Sequence, residues 1–133
     1  LVGIMQSPLL QDGALDSNGK RVGRNIRALR IDLRTGQTAE YVYQLSDASY
    51  GVSEILAVSD HEFLVIERDG KTGPNARCKH ITLFDVAGAT DVSKIDRLPS
   101  DALPEGVRPG AKSLFIDVLD SRYGLAANGI PII

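Results

Sequence analysis

Asn25-Ile26-Arg27-Ala28-Leu29-Arg30-Ile31-Asp32-Leu33, then Arg34-Thr35-Gly36-Gln37, then Thr38-Ala39-Glu40-Tyr41-Val42-Tyr43-Gln44-Leu45, is the stretch that decides the fold. In the first segment Leu29, Ile31 and Leu33 fall on one face, with Arg30 and Asp32 on the other. In the second, Ala39, Tyr41, Tyr43 and Leu45 line up against Glu40 and Gln44. A period of two is the mark of a strand with one buried face. The four residues between them hold a glycine where a tight turn needs a positive φ. A β-hairpin is the expectation.

The same pattern continues outward. Val52 to Val58 and Glu62 to Asp69 are rich in branched apolar residues, joined by the short polar connection Ser59-Asp60-His61, and read as a second hairpin. After the loop Gly70 to Arg77, Lys79 to Val86 reads as a third strand of that sheet, and Ala89 to Ser93 as a short fourth edge strand. Leu98 to Gly110 holds three of the six prolines and reads as a loop, with room for a short helix at Leu98 to Leu103. Lys112 to Leu119 regains strand character. No segment sustains a 3.6-residue period, so the expected fold is all-β, built of antiparallel sheets. A weak internal repeat relates Arg27 to Leu33 with His80 to Val86. Asp85 follows Asp32 by 53 residues, close to the length of a long propeller blade.

Bulk properties narrow the function. At 133 residues, 43% hydrophobic and 24% charged, the chain has the composition of a folded domain or part of one. A formal charge of -2 gives no general attraction to nucleic acid, and the run Lys20, Arg21, Arg24, Arg27, Arg30, Arg34 reads as solvated strand and loop charge. No apolar run reaches the ~20 residues of a membrane-spanning helix. The lone Cys78 leaves no partner for an intrachain disulfide and no multi-cysteine metal site. The opening Leu1-Val2-Gly3-Ile4-Met5 has no basic stretch of the kind that starts a signal peptide, and Gly129 to Ile133 forms no polar tail. Both ends read as cut from a longer polypeptide.

Several phrases together resemble one known family. They are Gln6-Ser7-Pro8-Leu9 with Gln11-Asp12-Gly13, Gly23 to Arg27, Tyr41 to Leu45, Gly51 to Ala57, Leu64 to Gly70 and Gly88 to Ser93. They resemble the phytase-like family known as "esterase-like activity of phytase", over most of residues 1 to 119. The resemblance implies a β-propeller, periplasmic or secreted, acting on a small (phospho)ester, and of which this chain is an internal piece of about two blades. Residues 1–45 would give the outer three strands of one blade and 52–96 the next. Residues 97–133 would form a loop and the start of a further element. Exposed sheet edges in such a piece suggest pairing with another copy.

The candidate chemistry sits on the second hairpin. Alternation puts Phe63, Val65, Glu67 and Asp69 on one face of their strand, and a carboxylate interrupting an apolar face needs a partner. In one reading Glu54, Glu67 and Asp69 hold a hard cation such as Ca²⁺, while Arg68 and Lys112 neutralise phosphate beside the carboxylates Glu54 and Glu67. In the other, the carboxylates form internal ion pairs, of the Glu54–Arg68 or Glu67–Arg68 kind, that tie blades together, and the propeller binds a ligand or protein without catalysis. Lys71 reads as surface charge, and His61 and His80 lack metal-ligand spacing. Gly51-Val52-Ser53-Glu54-Ile55 lacks the second glycine of a nucleophile elbow. Gly13 to Arg21 fails as a phosphate loop, and Asp16-Ser17-Asn18-Gly19 reads as a turn rather than a calcium loop.

Overall fold

A computed structural model describes residues 1–125. Among them there is no α-helix; the chain runs as strands with two single-turn 3₁₀ segments. The strands are β1 (Val2–Ile4), β2 (Ala14–Leu15), β3 (Arg21–Val22), β4 (Asn25–Ile31), β5 (Thr38–Gln44), β6 (Gly51–Ala57), β7 (Glu62–Arg68), β8 (Lys79–Asp85) and β9 (Ala111–Asp117). They form a three-stranded sheet in the order β1-β4-β5, a small β2-β3 ribbon, and a four-stranded meander β6-β7-β8-β9. All pairings are antiparallel. Two neighbouring antiparallel sheets with no closed barrel match the expected propeller-like, all-β class.

The decisive hairpin forms with Asn25 opposite Gln44 and Ile31 opposite Thr38. Its first strand stops two residues earlier than alternation alone predicts. The Asp32 carboxylate accepts from the amides of Arg34 and Thr35 at 2.8 and 3.1 Å, and Gly36 takes a φ of 73°. That local capping outcompetes strand extension, so Leu33 falls in the turn and is exposed.

The core lies between the two sheets. Ile26, Ala28, Tyr43 and Leu45 of the first meet Val52, Phe63, Val65, Phe84 and Val86 of the second, all buried. The Tyr43 and Phe84 rings touch edge to face, 5.1 Å between centroids. Full burial of such side chains contributes about 1.5–3 kcal/mol each.

Two expectations for the chain after residue 86 need correction. Ala89 to Ser93 is not a strand; the fourth strand of the meander is β9, and the chain needs residues 87–110 to reach it. No helix forms at Leu98 to Leu103. Instead this long connection crosses to the far face of the first sheet. Val92 and Leu98 bury against Val42 there, with Ile95, Leu103 and Val107 around them. The connection also occupies the outer edge of β5. The Val92 amide donates to the Glu40 carbonyl at 2.8 Å, the Glu40 amide to the Asp91 carboxylate at 3.0 Å, and the Gly110 amide to the Val42 carbonyl at 2.9 Å. An edge that would otherwise be a template for unwanted pairing is thereby covered.

Candidate functional site

Glu67 is the only carboxylate at full burial in the meander among the described residues, and it is completely satisfied. Its Oε2 accepts from the Tyr43 hydroxyl at 2.5 Å and the Lys112 ammonium at 2.9 Å, and its Oε1 from the Ser46 amide at 2.7 Å. Tyr43 also meets Thr82 Oγ1 at 2.8 Å. Lys112 uses its remaining donors on the Gln44 carbonyl and Ser46 Oγ, at 2.7 and 2.9 Å, and lies over the Tyr43 ring. Burial alone would raise the Glu67 carboxyl, but the Tyr43, Ser46 and Lys112 donors outweigh it and hold it below the usual carboxylate range. Burial, and then the Glu67 carboxylate, push the Tyr43 phenol well up, so it stays a donor.

Asp69 forms a second buried pair. It lies 3.3 Å from Lys79 Nζ and accepts from the Arg77 amide at 2.6 Å. Burial opposes its ionised form, yet the Arg77 amide and the Lys79 ammonium prevail and lower its pKa. The Cys78 thiol beside it is buried and pushed up to about 11, chiefly by that burial.

The expected cation set is not assembled. Val52 stands opposite Glu67, but the pairing skips Ser53, so Glu54 stands opposite Ile66. This one-residue bulge turns Glu54 onto the opposite face from Glu67, where it is exposed and its carboxylate accepts from the amide of Ile55. With Glu67 and Asp69 each held by a lysine, Glu54, Glu67 and Asp69 do not converge. Among the described residues no three His, Cys, Asp or Glu side chains are placed to hold a metal ion.

Glu54, Glu67, Arg68 and Lys112, the residues expected to act on phosphate together, divide in the same way. Glu67 and Lys112 meet as a buried ion pair, whereas Arg68 alternates to the other face and donates to Ser53 Oγ at 2.9 Å. The Glu67 ion pair lies within the meander, with Lys112 rather than an arginine as its cation, and the Tyr43 hydroxyl makes the Glu67 contact to the other sheet. His61 contacts Asp85 at 3.0 Å, and His80 lies 3.8 Å from Asp117. Asp16 accepts from the amides of Asn18 and Lys20, an ordinary turn.

One residue of the basic run departs from the solvated reading. Arg27 is buried, with its guanidinium on Asp12 at 2.6 and 3.0 Å, on Glu40 at 2.8 Å and on the Ile95 carbonyl at 2.8 Å. Asp12 also accepts from the Leu98 amide at 2.7 Å. No periodic signal in the sequence marks Arg27 as buried, because its partners Asp12 and Ile95 come from segments outside the regular strands.

A different cationic feature lies where the end of β7 meets the start of β6. Lys20, Arg21 and Arg68 line a cleft of about 270 Å³ together with Ser7, Ser49 and Tyr50, and no carboxylate among the described residues lines it. Arg21 is steadied by the Leu10 carbonyl at 2.9 Å and Arg68 by Ser53, so two of the three cations are oriented. The Ser49 hydroxyl is engaged by Asp47 at 2.5 Å. Such a set can receive an anionic oxygen cluster through charge-assisted hydrogen bonds.

Fold and site together define a propeller-type all-β protein that carries a cationic cleft at the junction of two sheets. A family model described as Phytase-like, "Esterase-like activity of phytase", matches residues 1–132, and the chain belongs to that family. Neither a curated protein nor a solved structure matches the chain.

Proposed function

We propose that this chain supplies an anionic-ester-binding cleft to a phytase-like ester hydrolase. The observation that carries the reading is the convergence of Lys20, Arg21 and Arg68 on one cleft free of carboxylates. Three cations match the charge of a phosphoester better than that of a neutral carboxylester, and Arg21 and Arg68 can each present a bidentate fork. Glu67 and Lys112 serve the scaffold in this account, and no step is assigned to calcium. A periplasmic or secreted location is part of the same proposal and rests on the family.

A second reading has its own support. Glu67 and Asp69, the carboxylates that would act as bases or cation ligands, are taken up one to one by Lys112 and Lys79. On that account the propeller binds its ligand without turning it over.

Calorimetry with inorganic phosphate, run beside hydrolysis of p-nitrophenyl phosphate and p-nitrophenyl acetate, separates the two. The wild type and an Arg21→Gln/Arg68→Gln variant of unchanged circular dichroism are compared. Loss of about tenfold or more in phosphate affinity supports the cleft, as expected when charge-assisted bonds are removed. Turnover of the phosphoester, lost in the variant, supports the hydrolase. Binding without turnover favours the second reading. Unchanged phosphate affinity in the variant sinks the cleft.

A further inference from the structure

Of the three cations in the cleft, Arg68 comes from the meander, and an irregularity in the neighbouring strand sets its surroundings. β6 pairs with β7 through Gly51 opposite Arg68 and Val52 opposite Glu67, and then skips Ser53. A bulge leaves one residue out of the ladder and re-aims its side chain. Here the Ser53 hydroxyl accepts from Arg68 Nε at 2.9 Å. Ser53 is exposed and belongs to neither core cluster, so packing gives no reason for its place.

The bond is placed so that it orients the guanidinium without using it up. An arginine offers its donors in a rigid planar fork, and a bond at Nε leaves both terminal nitrogens. Among the described residues those two nitrogens meet no acceptor. The acceptor is also neutral, so Arg68 is fixed with its charge intact. Glu54 would cancel that charge, since it stands opposite Ile66 on the same face of the sheet as Arg68. Its carboxylate instead accepts from the Ile55 amide at 3.0 Å and forms no ion pair with Arg68. Arg21 is held in another way, by one terminal nitrogen on the Leu10 carbonyl, which leaves its Nε edge. The two arginines thus keep different edges free.

We infer that Ser53 is a positioning residue of the cleft: the β6 bulge holds the Arg68 guanidinium by its Nε, which leaves the terminal pair to grip two oxygens of an anionic ester. The inference rests on the anion-binding reading of the cleft. A planar fork takes two oxygens of one phosphate at once, provided that it is correctly turned. Ordering one long side chain at the moment of binding costs a factor of about two to ten in affinity. A guanidinium already anchored by Ser53 avoids that cost.

Calorimetry with inorganic phosphate on the whole chain tests this, with Ser53→Ala, Ser53→Thr, Arg68→Gln and Ser53→Ala/Arg68→Gln beside the wild type. Ser53→Ala is expected to weaken phosphate binding about two- to tenfold and to leave the urea midpoint unchanged. Ser53→Thr keeps the hydroxyl and is expected to bind as the wild type does. In the Arg68→Gln background the alanine change is expected to add nothing, because the two residues act as one unit. A loss that persists in that background would give Ser53 a role apart from Arg68 and overturn the inference. Unchanged affinity in Ser53→Ala beside a weakened Arg68→Gln overturns it too, and leaves the cleft itself standing. No phosphate binding by the wild type removes the cleft and the inference together.

Discussion

Lys112 on β9 and Glu67 on β7 meet at 2.9 Å across the intervening strand β8, and the same carboxylate takes the Tyr43 hydroxyl from the other sheet. One buried charge therefore holds three elements in register: the last strand of the meander, its second strand, and β5. The Ser46 amide adds the turn that leads into β6. Replacing the whole group with apolar residues could be energetically neutral, but removing one partner leaves a charge with no counterpart.

Lys112→Met is accordingly expected to lower unfolding free energy by about 3 kcal/mol, at the low end of the range for broken buried pairs because Lys112 keeps some solvent contact. Urea denaturation measures it. Glu67→Gln should cost a similar amount, and the double variant less than the sum of the two. Full additivity would mean that the two side chains do not act as a pair.

The pH dependence follows from the same contacts. The folded-state pKa values of Glu67 and Asp69 are both depressed, so their contribution is complete above the unfolded carboxyl pKa values of about 4. It is lost as pH falls through the lower folded values. The urea midpoint should hold steady near neutrality and drop below about pH 4, more gently in Glu67→Gln. An equal drop in the variant would assign the acid sensitivity to other groups.

Much of this is legible in the sequence. Alternation located β4 through β8 by their period of two, although β4 and β5 are buried on both faces, and the Asp69 and Glu67 burial followed from the same count. What alternation cannot carry is a break in its own period. The skipped Ser53 inverted Glu54, and nothing in Val52-Ser53-Glu54 distinguishes a bulge from a regular strand. Arg27 failed for a related reason: its partner Asp12 and the Ile95 carbonyl come from segments without periodicity, so their approach is a tertiary fact. The cationic cleft joins residues 20, 21 and 68, and only the packing of the two sheets brings them together.

Arg27 should therefore behave as a core residue. Arg27→Met strands Asp12 in a buried site and frees the carbonyls of Val92 and Ile95, with an expected cost of about 3–5 kcal/mol. The connection between β8 and β9 should loosen first. Limited proteolysis is expected to cut residues 92–103 of the variant under conditions that leave the wild type intact. Arg27→Lys should rescue little, since a single ammonium cannot reproduce the fork that engages both Asp12 oxygens.

Gly110 tests the packing where the long connection enters β9. A Cβ there would lie 2.1 Å from one Phe84 ring carbon and 2.7 Å from another, and Phe84 is fully buried between the sheets. The Phe84 ring cannot yield without disturbing its edge contact with Tyr43, and through Tyr43 the Glu67–Lys112 pair. Gly110→Ala should thus cost about 1–3 kcal/mol, as overpacking usually does. Adding Phe84→Leu should recover part of that loss by vacating the ring's position, so the double variant would be more stable than the sum of the two single changes implies. Strictly additive losses in the denaturation midpoints would mean that the glycine serves the backbone alone, through its amide bond to the Val42 carbonyl.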